Sequence, residues 1–147
     1  MDKINITHHI SQQFNVELED LRNDVLAMGG LVEQQILDAL NALNTSNSEL
    51  AELVITNDYK VNALEVAIDE ECSRILARRQ PTASDLRLIV AIIKTITDLE
   101  RIGDEAEKVA QMTVHLSSLE GTTARTLDPL EMMGSTAHSI LHDALDA

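Results

Sequence analysis

Apolar residues recur at steps of three and four positions along the first part of the chain. This spacing places them on one face of an α-helix, and it predicts a helix over residues 11–44 after an N-terminal tail, 1–10. Gly29 and Gly30 lie in mid-helix, where each glycine costs about 1 kcal/mol relative to alanine, so we expect close packing or a bend there. The series is Phe14, Leu18, Leu21, Val25, Met28, Val32, Ile36, Leu40 and Leu43.

The same analysis predicts two further helices, over residues 47–79 and 83–117. Ser46 followed by Glu49 fits a capping box, as does Thr82 followed by Asp85. Gln80-Pro81 ends the second helix, because the residue before a proline disfavours the helical conformation, and we expect the chain to reverse direction there. The apolar seam of the third helix alternates strictly between steps of three and four, which is typical of coiled-coil-like bundle packing.

A fourth helix is predicted over 129–147, after a polar linker at 119–128, because Asp128 and Pro129 form a helix-start signal. It repeats part of the first helix: Met28-Gly29 recurs as Met133-Gly134, and 38–40 recurs as 143–145, at one offset of 105 residues. We therefore expect an all-α fold, with an antiparallel three-helix bundle over 11–118 and the first helix of a second, truncated three-helix repeat.

The amino-acid composition is consistent with long helices, and the net charge restricts the classes of binding partner. Phe14 and Tyr59 are the only aromatic residues, and the chain has two prolines and five glycines. The net charge of −14 argues against nucleic acid and anionic membranes, and favours a cation or a partner with a basic face. A lone Cys72 gives no disulfide framework. No signal region or membrane-spanning stretch is recognisable, so we expect a cytoplasmic protein that meets membranes only through its partners.

Candidate chemistry lies on the hairpin around Pro81. If that residue is the centre of the turn, Asp58 faces Asp104 and Asn62 faces Glu100, and each pair lies one turn apart on its own helix. Converging carboxylates repel unless they are protonated or bridged by a cation, and hard oxygen ligands suit Mg, Mn, Fe or Ca. We thus expect a metal site at Asp58, Asn62, Glu100 and Asp104.

Alternatives to this metal site remain open. The stripe, which Glu65 and Glu107 extend, is also explained as a solvated acidic face neutralised by Arg101 and Lys108. His138 and His142 lie one turn apart, but the sequence offers them no third ligand. Glu-x-x-His, glycine-rich phosphate loops and local nucleophile–base motifs are all missing from the sequence, which argues against an enzyme.

Two strings resemble the PhoU family of phosphate-signalling proteins: Gln80-Pro81-Thr82-Ala83-Ser84-Asp85-Leu86-Arg87 and Asp98-Leu99-Glu100-Arg101-Ile102-Gly103-Asp104. The resemblance extends over about 9–147 and implies two similar three-helix bundles. Paired Glu/Asp-x-x-x-Asp motifs hold metal clusters in some members, which points to the same four residues here. Asn62 departs from the motif, which has aspartate at this position. An amide oxygen can still bind a metal, but it brings no charge.

The resemblance also implies a regulator rather than an enzyme. We expect it to limit phosphate uptake and repress the phosphate regulon, as an adaptor between the nucleotide-binding subunit of the phosphate-specific ABC transporter and a sensor histidine kinase. The apolar stripe of the fourth helix predicts docking on a second chain, hence a homodimer. A metal-carboxylate enzyme and a purely structural oligomerisation bundle are the alternatives.

Overall fold

Four helices form the part of the chain that the structure describes. The computed structural model describes residues 2–119 and 127–146, with side chains from 12 to 119 and from 134 to 146. The helices are α1 (Asp2–Thr45), α2 (Ser48–Arg78), α3 (Ala83–Ser118) and α4 (Leu127–Asp146). α1, α2 and α3 each pack against the other two, and α4 packs against α1. The predicted all-α class and three-helix bundle are thus confirmed.

Two predicted boundaries differ from the structure. α1 begins at Asp2, so the predicted tail over 1–10 is helical from its second residue. No proline or glycine precedes Gly29, and the chain has nothing there to interrupt a helix. α4 begins at Leu127, so Asp128 lies inside the first turn rather than at its cap. Residues 120–126 of the predicted linker lie outside the described residues.

The turn between α1 and α2 uses a different cap from the one predicted. Ser46 has a φ of 53°, in the left-handed region. Its N–H donates to the carbonyl of Leu43, and the N–H of Asn47 donates to the carbonyl of Ala42 at 2.8 Å, the two bonds of a Schellman motif. Because Ser46 ends α1, the cap of α2 is Asn47, whose Oδ1 accepts from the N–H of Leu50 at 3.1 Å.

The hairpin at Pro81 matches the prediction. Thr82 caps α3, because its hydroxyl oxygen accepts from the N–H of Asp85 at 3.3 Å and the hydroxyl donates to the Asp85 carboxylate at 2.9 Å. Arg79, just after α2, forms an ion pair with Glu17 of α1 at 3.2 Å. The turn between α2 and α3 is therefore fixed at both ends, which sets the register of these helices.

The bundle core is aliphatic and changes in character along its length. The larger side chains include Leu21, Met28, Ile68 and Ile96, while Ala39, Ala42, Ala51, Ala106 and Ala110 make a small-residue cluster. Small residues allow close approach of the helices in this part of the bundle. Cys72 is fully buried, and burial raises the pKa of its thiol to about 11, so it is an unreactive core residue.

The contact between α1 and α4 has an internal symmetry. The Leu145 side chain lies against Gly29, and the Leu40 side chain lies against Gly134. The two pairs are related by the 105-residue offset, so each helix supplies one glycine and one leucine to a reciprocal contact. This close approach explains why a small residue, Gly29, lies in the middle of α1.

No helix in the described ranges combines the length and apolarity needed to cross a membrane.

Candidate metal site

Asp58 is the centre of the acidic cluster. Its carboxylate is buried, with 6% of the residue exposed, and it accepts a hydrogen bond from Gln35 Nε2 at 3.0 Å. Asn62, one turn along α2, donates from Nδ2 to the second Asp58 oxygen at 3.4 Å. A buried carboxylate needs such partners to avoid an unpaired charge. Asp58 is therefore held from two helices, α1 and α2.

Three carboxylates converge across the α2–α3 hairpin. One ligand oxygen each from Asp58, Asp104 and Glu107 lies within 4.8 Å of the other two. The meeting of Asp58 with Asp104 was predicted from the turn at Pro81. Glu107 lies one turn beyond Asp104, on the predicted acidic stripe, whereas Asn62 and Glu100, which were predicted as ligands, are not among these three residues.

Glu100 is a neighbour of this trio. Burial and a hydrogen bond with Asp104 raise the pKa of Glu100 to about 7, and the charge of Glu65 acts in the same direction. Burial, then a hydrogen bond with Asp58, likewise raises the pKa of Glu107. The pKa of Glu65 is raised by burial and by Asp69. These shifts share two physical causes, desolvation by burial in the cleft and, after it, the crowding of acids there.

The cations that were expected to neutralise this face do not pair with it. Lys108 forms its ion pair with Glu105 at 3.0 Å, and both side chains are well exposed. Within 12–119 and 134–146, no lysine or arginine forms an ion pair with Asp58, Glu100, Asp104 or Glu107. The salt-bridged alternative therefore lacks its direct ion pairs, although Lys108 is close enough to Asp104 for the charge of that carboxylate to raise the Lys108 pKa, after the larger effect of Glu105.

Gln35 is the member of the site that the sequence analysis missed. It is buried on α1, and its Oε1 atom has no hydrogen-bond partner among the residues that the structure describes. Gly103 of α3 makes room for it, because a Cβ at that position would lie 2.8 Å from Gln35 Oε1. The sequence feature that could have identified Gln35 is its position as a polar residue on the apolar face of α1, between Val32 and Ala39.

The histidine pair on α4 is engaged elsewhere. His142 contacts Glu33 of α1 through Nδ1 at 3.0 Å and Asp146 through Nε2 at 3.1 Å. The ring of His138 stacks on that of His142, with centroids 6.2 Å apart. Both ring nitrogens of His142 face carboxylates, so this pair is a link between α1 and α4. Within the described residues it is not part of a three-ligand group.

Comparison with known proteins places these features in a family. The PhoU domain model matches residues 25–113. The phosphate-specific transport system accessory protein PhoU of Serratia marcescens is 54% identical over all 147 residues, and that of Escherichia coli K12 is 51% identical. The chain spans 60% of the length of each.

Two solved structures are also similar to this chain. The crystal structure of PhoU from Pseudomonas aeruginosa has a TM-score of 0.88 at 54% identity, over 91% of this chain and 64% of that one. The phosphate transport system regulatory protein PhoU from Streptococcus pneumoniae has a TM-score of 0.81 at 35% identity, over 91% of this chain and 62% of that one. The likeness therefore extends to α4.

Proposed function

Because the chain belongs to the PhoU family, we propose that it acts as an accessory protein that regulates phosphate transport. The observation that carries this proposal is identity of 51–54% along the whole chain to proteins named phosphate-specific transport system accessory protein. Since the chain spans 60% of those relatives, its activity and partners are inferred from them.

The specific role we propose is that of an adaptor on the cytoplasmic side of the membrane. It would contact the nucleotide-binding subunit of the phosphate ABC transporter and the sensor histidine kinase, limit uptake and repress the phosphate regulon. Support comes from the shape, since helices of 31 to 44 residues present long faces to partner helices. A homodimer is part of the proposal, and light scattering would measure it.

Binding and gene expression together test the adaptor role. The purified chain is expected to bind the transporter subunit or the cytoplasmic part of the kinase in biolayer interferometry. Deletion of the gene is expected to give phosphatase expression in high phosphate. Unchanged expression with no binding to either protein would leave the purely structural bundle as the better explanation.

We propose further that the acidic cluster holds a divalent or trivalent cation. The residues fit, because three carboxylates converge without a direct ion pair to a lysine or arginine in the described part of the chain, and the buried one is oriented by Gln35. Asp58, Asp104 and Glu107 would be the ligands, with Glu100 and the amide oxygen of Asn62 as neighbours able to join. Mg, Mn, Fe and Ca suit this oxygen set. A bound cation would supply the positive charge that offsets the repulsion between α2 and α3.

Asp104→Ala tests the metal proposal. We expect this variant to bind at least tenfold less Mn²⁺ than the unaltered chain after equilibration and desalting, because one of three carboxylates is gone. Elemental analysis gives the metal-to-protein ratio. The matched control is Asp98→Ala, which removes an exposed acid from the same helix and should bind as the parent does. Equal metal content in both variants would end the proposal.

The remaining alternative is a metal-carboxylate enzyme, and we propose that the chain is not one. The Mn²⁺-loaded protein should be inactive in oxidase and phosphohydrolase screens. Turnover that disappears in Asp104→Ala would contradict this, since it would tie chemistry to the cluster.

A further inference from the structure

A groove lies between α1 and α2, and Gln35, which holds Asp58 of the acidic cleft, is part of its lining. It has a volume of about 260 Å³. Leu31 and Val54 contribute to its apolar lining, and Leu53 lies in its wall. Leu53 is 56% exposed although it is a large apolar side chain. The groove is therefore an apolar depression with one leucine left largely in contact with water.

Charged residues of opposite sign line the same groove. Lys60 is the only basic residue of α2 before Arg74, it is exposed, and it forms no ion pair within the described residues. Asp38 accepts a hydrogen bond from Gln34 at 2.9 Å. Since this bond leaves the negative charge in place, the groove offers one free cation and one anion.

The register of α1 and α2 gives the spacing of these charges. Gln35 is hydrogen-bonded to Asp58, and the helices are antiparallel, so Asp38 lies near the level of residue 55. Lys60 is five residues further along α2, which is about 7.5 Å at 1.5 Å per residue. This offset is about 1.4 helical turns, and the long Lys60 side chain can span the difference from the roughly 6 Å between positions i and i+4 of a third helix.

We propose that this groove docks an amphipathic helix of a partner protein. The helix carries an apolar anchor that fills the groove against Leu53 and Val54, an acid that meets Lys60, and a base about one turn away that meets Asp38. Helix-in-groove recognition uses this combination of apolar anchors and flanking charges. The identification rests on the proposed function, which supplies the two partners in which to look for the helix.

Other occupants suit the groove less well. Two copies of the same concave surface do not fill each other, so a second chain is not favoured. An anionic lipid surface would be repelled by Asp38 and by the net charge of −14. Both remain distinguishable outcomes of the experiment.

Binding of the purified transporter subunit, and separately of the cytoplasmic part of the kinase, tests the groove. Leu53→Asp should weaken binding of one of them at least tenfold. Its control is Val66→Asp, because Val66 is on the same helix with almost equal exposure, 55%, and does not line the groove. Lys60→Glu should weaken binding about fivefold, and the exposed Lys94→Glu on α3 is its control. Circular dichroism melting checks that each variant folds.

Each result has a defined meaning. Weakened binding in Leu53→Asp and Lys60→Glu, with both controls within twofold of the parent, supports the groove. Equal affinities for Leu53→Asp and Val66→Asp overturn the groove while the adaptor role stands. No binding of either partner by the unaltered chain overturns both proposals. A dimer that Leu53→Asp alone dissociates, or vesicle binding that it alone abolishes, assigns the groove to a second chain or to lipid and overturns the partner helix.

Discussion

Gln35 shows how one residue joins the first helix to a site built on the other two. It donates to Asp58 from α1, and it is a buried polar residue beside the apolar series, next to Ile36. A buried amide with one unpaired oxygen is costly, and Gly103 is the residue that leaves space for it. Packing against Gln35 therefore explains why a glycine, Gly103, occupies its position in the Leu-Glu-Arg-Ile-Gly-Asp string.

Gly103→Ala should lower the free energy of unfolding by about 1 kcal/mol. The gain in helix propensity is outweighed by displacement of Gln35 and loss of its bond to Asp58. Urea unfolding measures the change. In a Gln35→Ala background the same substitution should instead stabilise by about 1 kcal/mol, because nothing remains to displace. A loss of stability in both backgrounds would show that Gln35 is not the obstacle.

Glu100→Gln should stabilise the metal-free chain at pH 8 and leave it unchanged at pH 4. The pKa of Glu100 is raised to about 7 in the folded protein, so the folded state binds its proton more tightly than the unfolded state does. Stability therefore falls as the pH rises from about 4.5 to 7. Removing this charge should recover roughly 1 kcal/mol after allowance for solvent screening.

Thermal unfolding at several pH values measures the effect of Glu100→Gln, with exposed Asp98→Asn as the control. Addition of Mn²⁺ at pH 8 should reduce the difference between Glu100→Gln and the parent if the cluster holds the ion. An equal gain in both variants would mean that overall charge, rather than the cluster, is responsible.

At the scale of elements, adjacent glycines in α1 have different roles. Gly29 lies against Leu145 of α4, whereas a Cβ on Gly30 would meet no atom within 4 Å. Sequence alone gives both the same helix penalty. Their difference arises because α4 packs on one side of α1.

Gly30→Ala should raise the free energy of unfolding by about 1 kcal/mol, which is about 4 °C in melting temperature. Gly29→Ala should gain less, because Leu145 has to move away from the new methyl group. Hydrogen exchange in α4 should accelerate in Gly29→Ala only. Equal gains and unchanged exchange in both variants would contradict the close approach of the helices.

At the scale of the whole molecule, a histidine between carboxylates adds a polar contact to the packing of α4 on α1. His142 faces Glu33 from α1, and Asp146, Asp143 and His138 from its own helix. The hydrogen bond with Glu33 and the nearby acids raise the pKa of His142. Its contribution to docking is therefore full below about pH 6.5 and is lost as the pH rises through the higher folded value.

His142→Gln should accelerate hydrogen exchange in α4 at pH 6 and have little effect at pH 8.5. Comparing variant and parent at each pH cancels the intrinsic pH dependence of exchange. His115→Gln, an exposed histidine of α3, should match the parent throughout. A difference that is the same at both pH values would show that His142 acts by packing alone.

The sequence by itself determined the helices and much of the cleft between α2 and α3. Apolar period fixes which residues share a face, and Pro81 with Thr82 fixes where the chain reverses. Those two facts were enough to bring Asp58 to Asp104. The 105-residue echo likewise predicted a helix similar to α1, and that helix, α4, packs on α1 through matched glycines and leucines.

Only the tertiary structure decided the contacts between elements that are distant along the chain. Gln35 reaches Asp58, Glu107 completes the carboxylate trio, and His142 meets Glu33. The apolar period along a helix shows which face a residue occupies. The rotation of each helix about its axis and its distance from its neighbours are set by the packing of all three helices together. The N-cap of α2 is Asn47 rather than the predicted Ser46 for a similar reason, because Ser46 adopts the left-handed conformation that ends α1.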